Sequence, residues 1–316
     1  MANLKMGIIG CGGRGRGHMR CLSSFDDVDL VAVCDPVAQS RDQAGDEFGV
    51  GKRYASVDEL LDGVELDAVL VATPAHLNAE AALPCLERGM DTLLEKPPGL
   101  SIEETRALRD AAAKSGARGM VAWDRRFNPF VVEARRKVEE RGPIAQVVGE
   151  FHKSLTSLEA SGRLPEIILD NMMLETSIHA IDLVRSLGGS DVAEVHSVVQ
   201  RRFHGYRDVH AALVTFENGC VAQITANFTG ATRLERYEIH GRDISAYLEG
   251  VKEGELVYDG ERHEVRGDGP SSSEAEDRFF VDCIKEDRPI ELPAANLDEA
   301  VKTMELCEAI GAGLVE

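Results

Sequence analysis

The sequence predicts an α/β protein continued by an α+β domain. A doubly wound parallel sheet is expected over residues 1–124, and a large open, mainly antiparallel sheet over residues 125–316. Three observations lead there. Apolar runs of strand length alternate with helical segments as far as residue 124, the order that builds a parallel sheet covered by helices. A glycine cluster (Gly10, Gly12, Gly13, Gly15, Gly17) directly follows the first apolar run. Past residue 124, short alternating segments are joined by brief turns, as in an antiparallel sheet.

Residues 6–9 read as a buried strand, the glycines as a turn, 18–22 as a helix and 28–34 as a second strand. Together these make one βαβ unit in about thirty residues. A helix over 56–61 opens on Ser56, with Glu59 at the reciprocal position of a capping box. Residues 68–72 form a strand, 78–88 a helix stopped by Gly89, and 92–94 a strand. The helix over 101–115 begins with a second capping box, Ser101 and Glu104, and 120–123 is the next strand.

In the second part, 129–140 and 175–187 read as helices and 144–151 as a strand. Strands follow at 193–203, 211–216, 221–227, 237–241, 244–249 and 255–257, with Asn218-Gly219 as a hairpin turn. Helices over 273–285 and 297–310 close the chain and are expected to pack back on the first domain.

Composition narrows the function. With 316 residues, 43% of them apolar, the chain needs no disulfide or metal to hold its core. Thirty-five basic against 55 acidic residues give a net charge of −20. A surface this acidic repels phosphate backbones and anionic lipid, which argues against nucleic-acid and membrane partners. Seven cysteines (Cys11, Cys21, Cys34, Cys85, Cys220, Cys283, Cys307) are an odd number with no CxxC pair. That pattern points to reduced thiols, a cytoplasmic location and no zinc site. No window approaches 18 apolar residues.

Gly10-Cys11-Gly12-Gly13-Arg14-Gly15 matches GxGxxG between a strand and a helix. Glycines there permit the tight turn and let backbone N–H groups approach a pyrophosphate at the helix N-terminus. The second strand ends at Asp35, twenty residues after Gly15, where an acid would accept hydrogen bonds from the adenosine ribose. A carboxylate at that position repels a 2′-phosphate, which favours NAD over NADP.

Six segments in order, GCGGRG at 10–15, CDP at 34–36, VATP at 71–74, LLEKPPGLS at 93–101, WDRRFNP at 123–129 and SIHAID at 177–182, resemble the Gfo/Idh/MocA oxidoreductases. The resemblance implies a Rossmann domain followed by a domain whose open sheet pairs into homodimers or homotetramers. It assigns cofactor contacts to Gly10, Cys11, Gly12, Gly13, Arg14, Asp35, Thr73, Pro74, His76, Glu95 and Lys96. It implies that Lys96 of the Glu95-Lys96-Pro97 motif lies near the nicotinamide and the substrate hydroxyl, a place suited to proton transfer. His179 matches the family's catalytic His, Glu175 stands where the family usually has Asp, and Asp182 matches the acid after the His. On a helix these three share one face.

The implied substrate contacts are Lys96, Trp123, Asp124, Arg126, His152, His179 and Asp182. Trp123 would stack on a sugar face, while Asp124, Arg125 and Arg126 would hold hydroxyls or an acidic group. Lys153 is a weaker candidate, and His204, His210 and His240 read as sheet-face residues. The chain departs from the family pattern at Glu175, at Asp170-Asn171 in place of Gly-Gly, and at Ala75 and Asn78 after VATP.

The implied reaction is metal-free, NAD-dependent oxidation of a secondary hydroxyl on a sugar, inositol or related polyol, with Lys96 and His179 as acid and base. Two alternatives stand beside it: a redox-neutral glycosidase working through transient oxidation, left open by the altered 170–175 segment, and an NAD-binding sugar sensor without chemistry, against which Lys96 and His179 argue.

Overall fold

The computed structural model describes residues 2–162 and 164–315. Two compact units emerge. The first comprises Met1–Asp124 with Ser273–Val301, and the second Arg125–Ser272 with Lys302–Glu316.

In chain order the first unit contains β1 (Leu4–Ile9), α1 (Gly13–Leu22), β2 (Val28–Cys34), α2 (Ala38–Phe48), β3 (Lys52–Tyr54), α3 (Val57–Gly63), β4 (Ala68–Val71), α4 (Asn78–Glu87), β5 (Asp91–Glu95), α5 (Ile102–Ser115) and β6 (Gly119–Ala122). The second contains α6 (Pro129–Glu139), β7 (Gln146–Ser154), α7 (Leu155–Ala160), α8 (Glu166–Leu169), α9 (Ile178–Gly188), β8 (Val192–Gln200), β9 (Val209–Phe216), β10 (Val221–Asn227), β11 (Thr229–Gly241), β12 (Ile244–Glu249), β13 (Glu253–Tyr258) and β14 (Glu261–Glu264). The chain then adds α10 (Ser272–Lys285) and β15 (Ala295–Asn296), and ends with α11 (Leu297–Gly311).

The first sheet has the order β15-β6-β5-β4-β1-β2-β3. Its six strands from β3 to β6 run parallel in five pairings, and β15 adds an antiparallel edge. Strand order reverses at β1, between β2 and β4, and in such sheets ligands bind outside the carboxyl ends of the strands at that switch point. All of β4 and β5 is buried, as expected of strands with helices on both faces.

The second sheet has the order β14-β13-β12-β11-β7-β10-β9-β8. Every pairing is antiparallel except β7 with β10. Burial alternates along β10 and β12, so one face is covered and the other is open. Helix α9, buried along its whole length, lies against β7, where Gly149 leaves the space that Val184 fills. The doubly wound first sheet and the largely antiparallel second one are the fold class that the sequence predicts.

Several elements differ in detail from the sequence reading. Helix α2 and strand β3 are additional. The first starts at Val37 without a side-chain cap and buries only Ala44 and Gly45, and the second is three residues long. Helices α7 and α8 and strands β14 and β15 are likewise short additions. The helix expected over 175–187 is a π-helical turn, Met173–Ser177, running into α9. His204 falls in the loop after β8, rather than on a sheet face, because Asp208 gathers that loop. Its carboxylate accepts from the backbone N–H groups of Arg202, Phe203 and His204.

Candidate active site

Backbone geometry explains the glycine loop between β1 and α1. Gly10 has φ +94°, and a side chain there would strike the carbonyl of Ala72. A side chain at Gly15 would run into the carbonyl of Gly10. At Gly12 and Gly13 the reverse holds, with open space where a Cβ would stand. That space belongs to a cavity of ≈ 730 Å³ lined by Gly10, Gly12, Gly13, Arg14, Asp35, Pro36, Thr73, Pro74 and Leu77, among others. Asp35 Oδ2 accepts from Cys11 N–H at 2.8 Å and Oδ1 from Val37 N–H at 2.8 Å, which fixes the carboxylate at the cavity wall. A side-chain-free cradle at a helix N-terminus, with an acid on the next strand, fits the pyrophosphate and ribose of a dinucleotide.

Of the expected cofactor contacts, Gly10, Gly12, Gly13, Arg14, Asp35, Thr73 and Pro74 line this cavity. Cys11 is buried outside the lining, with Sγ directed to the carbonyl of Cys34 and its N–H donated to Asp35. His76 is exposed, Glu95 is buried, and neither they nor Lys96 line the cavity.

Lys96 follows the last residue of β5 in a turn held from both sides. Asn78 at the start of α4 is fully buried, and its Nδ2 donates to the carbonyls of Glu95 (3.0 Å) and Pro97 (2.9 Å). Its Oδ1 accepts from Thr73 Oγ1 at 2.8 Å. The carboxylate of Glu95 turns back, with Oε2 accepting from Lys96 N–H at 3.0 Å.

Behind Glu95 lies a charged network that sequence reasoning missed. His18, on α1 and 3% exposed, sets Nε2 3.1 Å from Glu95 Oε1 and Nδ1 2.7 Å from Asp277 Oδ1 on α10. Arg14 Nε donates to the same Glu95 oxygen at 2.6 Å. Acid groups face both ring nitrogens, the arrangement in which a protonated ring donates to each. Burial opposes its charge, but the hydrogen bonds and charges of Asp277 and Glu95 outweigh burial and raise it to about 10. Burial likewise opposes the Glu95 carboxylate, and the His18 hydrogen bond with the Arg14 charge brings it down to about 2. Glu276, fully buried beside this group, has no hydrogen-bond partner on either oxygen, and burial together with the charges of Asp124 and Asp277 pushes it far up.

The second unit presents the other expected residues. His179, on α9, is 8% exposed, and Glu175, in the π-helical turn before it, is half-buried. Lys153 Nζ donates to Thr176 Oγ1 at 3.2 Å, and His152 Nδ1 accepts from Asn227 N–H at 3.1 Å. Arg207 explains the Asp170-Asn171 departure. Its N–H and Nη2 donate to the two oxygens of Asp170, each at 3.1 Å, and Nη2 donates to Asn171 Oδ1 at 2.9 Å. That grip shapes the segment leading into the turn that carries Glu175.

Other charged candidates are committed internally. Arg126 makes a bidentate pair with Asp182 (2.8 and 2.7 Å), both fully buried, and Thr303 Oγ1 donates to Asp182 at 2.9 Å. Arg125 is paired with Glu235 at 2.9 and 3.1 Å. Trp123, Asp124, Arg126 and Asp182 are 1%, 6%, 4% and 0% exposed.

The sequence carries two adjoining family signatures. Residues 4–123 match the oxidoreductase family with NAD-binding Rossmann fold, and residues 132–247 match the GFO/IDH/MocA C-terminal domain. The scyllo-inositol 2-dehydrogenase (NAD(+)) of Bacillus subtilis is 27% identical over 271 residues, covering 83% of this chain and 75% of that protein. Among solved structures, UDP-N-acetylglucosamine 3-dehydrogenase GnnA from Acidithiobacillus ferrooxidans has a TM-score of 0.85 over 99% of this chain and 98% of that one, at 22% identity. Levoglucosan dehydrogenase in complex with NADH and levoglucosan has a TM-score of 0.85 over 98% and 97%, at 21% identity. With the glycine cradle, Asp35 and the Glu95-Lys96-Pro97 turn on one parallel sheet, and both signatures in sequence order, the chain belongs to the Gfo/Idh/MocA family of NAD-binding oxidoreductases.

Proposed function

We propose that this protein is an NAD-dependent dehydrogenase that oxidises a secondary hydroxyl of a sugar, inositol or related polyol, reversibly. One observation carries the reading: the dinucleotide cradle and the Lys96 turn are tied within one unit, through Thr73 on the cavity wall and Asn78 beneath the turn. The activities of the B. subtilis relative and of the levoglucosan enzyme support the substrate class.

Oxidation of an alcohol removes a hydride from carbon and a proton from oxygen. When bound, NAD supplies the hydride acceptor. Gly12 and Gly13 leave room for its pyrophosphate, and Asp35 accepts from the ribose and disfavours a 2′-phosphate. Lys96 takes the hydroxyl proton and passes it to the medium, aided by His179, with Glu175 as the acid that orients His179. His152 and Lys153 supply polar contacts to substrate hydroxyls. Arg126 and Asp182 anchor α9, and with it His179, through their buried pair.

The open face of the second sheet, where Val198 and Leu213 are 47% and 45% exposed, is the surface for a homo-oligomeric contact. Among the described residues no helix is long and apolar enough to cross a membrane, and all seven cysteines are unbridged. Both facts support a cytoplasmic enzyme.

The test is formation of reduced nicotinamide with NAD across a panel of sugars, inositols and sugar acids, with Lys96→Ala as the blank. A Lys96-dependent signal is expected, with NAD binding retained in the variant. Unchanged turnover by Lys96→Ala would sink the assignment. Release of an aryl aglycone without net reduced cofactor would turn it into the redox-neutral glycosidase.

A further inference from the structure

We propose that Asn78 is a positioning residue that holds the Lys96 backbone in register with the cofactor cavity. The inference rests on the reading of Lys96 as the proton acceptor.

Pairing of β5 with β4 ends at Leu94 opposite Val71. Beyond that point the chain bends at Lys96, with the carbonyls of Glu95 and Pro97 on either side of it. The forked amide of Asn78 meets both, at 3.0 and 2.9 Å, in place of the neighbouring strand. Its orientation is fixed by its partners. Carbonyls only accept, so Nδ2 must face them, and Oδ1 is left for the hydroxyl of Thr73 at 2.8 Å. Each amide hydrogen is used once, and the side chain is fully buried.

Thr73 lines the cavity. A movement of the cavity wall is therefore transmitted to the main chain on both sides of Lys96 through three hydrogen bonds and one rigid planar group. Proton transfer is steep in distance and angle, and a displacement of about 1 Å costs on the order of 100-fold in rate. Asn78 touches neither substrate nor cofactor in this scheme, and its effect is on where the lysine stands.

Two near-isosteric variants test this. Asn78→Leu removes the fork, and Asn78→Asp also sets a carboxylate against two carbonyls. With the polyol that gives the Lys96-dependent signal, both should lose about 100-fold in kcat, with KM and NAD affinity within about threefold and a displaced pH profile of kcat. Amine labelling followed by mass spectrometry reads the same point without substrate. The Lys96 labelling rate should change severalfold while the other lysines keep theirs. Should circular dichroism show both variants unfolded, Thr73→Val frees the amide from one side and should lower kcat about tenfold with the same labelling change.

A folded Asn78 variant with kcat, pH profile and Lys96 labelling within twofold of the parent refutes the proposal. So does a loss shared equally by NAD affinity and kcat, which marks a merely structural role. If Lys96→Ala itself retains turnover, the catalytic reading fails, and the labelling result still reports whether Asn78 positions the lysine.

Discussion

Replacing His18 by Gln removes the cation from a network in which Glu95, Arg14 and Asp277 meet the ring or share its partners, with Asp124 and Glu276 nearby. His18 is 3% exposed, so solvent screens little of what is lost. Its proton is held from an ordinary 6.5 up to about 10. At about 1.4 kcal/mol per pH unit, that span is worth on the order of 5 kcal/mol. The independent expectation for stripping one partner from a buried ion pair, about 3–5 kcal/mol, is of the same size. For a chain of this size the Tm should fall by on the order of 10 °C at pH 6.

The sign of the pH dependence separates this account from a simple packing loss. A group bound more tightly to its proton in the folded state contributes fully below its unfolded value, and the contribution is lost as pH rises toward the folded value. The parent should therefore lose stability steadily from about pH 6.5 to 10, while His18→Gln should be flatter over that window. Thermal melts at half-unit steps from pH 6 to 10 measure both. Parallel curves for parent and variant would refute the imidazolium between two carboxylates.

Other expectations follow from the cradle and the buried pairs. Gly12→Ala should keep its Tm, because nothing stands where the methyl would go, yet weaken NAD binding at least tenfold by filling the phosphate space, as read by fluorescence titration. Gly15→Ala should be poorly folded, since its methyl meets backbone. Asp35→Ala should weaken NAD by about 10- to 100-fold and reduce the preference over NADP, measured as the ratio of the two affinities. Arg126→Ala should destabilise by about 3–5 kcal/mol in urea melts, because Asp182 is left buried and unpaired, whereas Arg126→Met with Asp182→Leu should recover most of it.

What could be read from sequence was local. The Ser101–Glu104 capping box is present with both hydrogen bonds, because its partners stand three residues apart. At Ser56 only half of the box forms: its hydroxyl accepts from Glu59 N–H, while the Glu59 carboxylate goes to Ala55 N–H. The glycine loop and Asp35 were legible because a phosphate cradle imposes a spacing. His18 was not, since its two partners lie 77 and 259 residues away and no periodicity marks them. Arg126 and Asp182, 56 residues apart, are candidate site residues in sequence, and nothing in their spacing marks the pair that they form. Only burial reveals that they satisfy each other. Helix α2 escaped notice for a different reason: without a cap or an apolar stripe it depends on its neighbours.

The first unit is completed by its last-made segment, Ser273–Val301. At translation speeds of about 5–20 residues per second, the 259 residues between His18 and Asp277 take roughly 10–50 s to emerge. The residues made before Asp277 supply one of the two acids that face His18 in the full chain, and neither α10 nor the edge strand is yet complete. Any chain that stops short of Asp277 keeps that defect permanently. The portion synthesised first thus reports on whether the whole chain was finished, and truncated products should be recognised by proteases through an unfinished N-terminal unit.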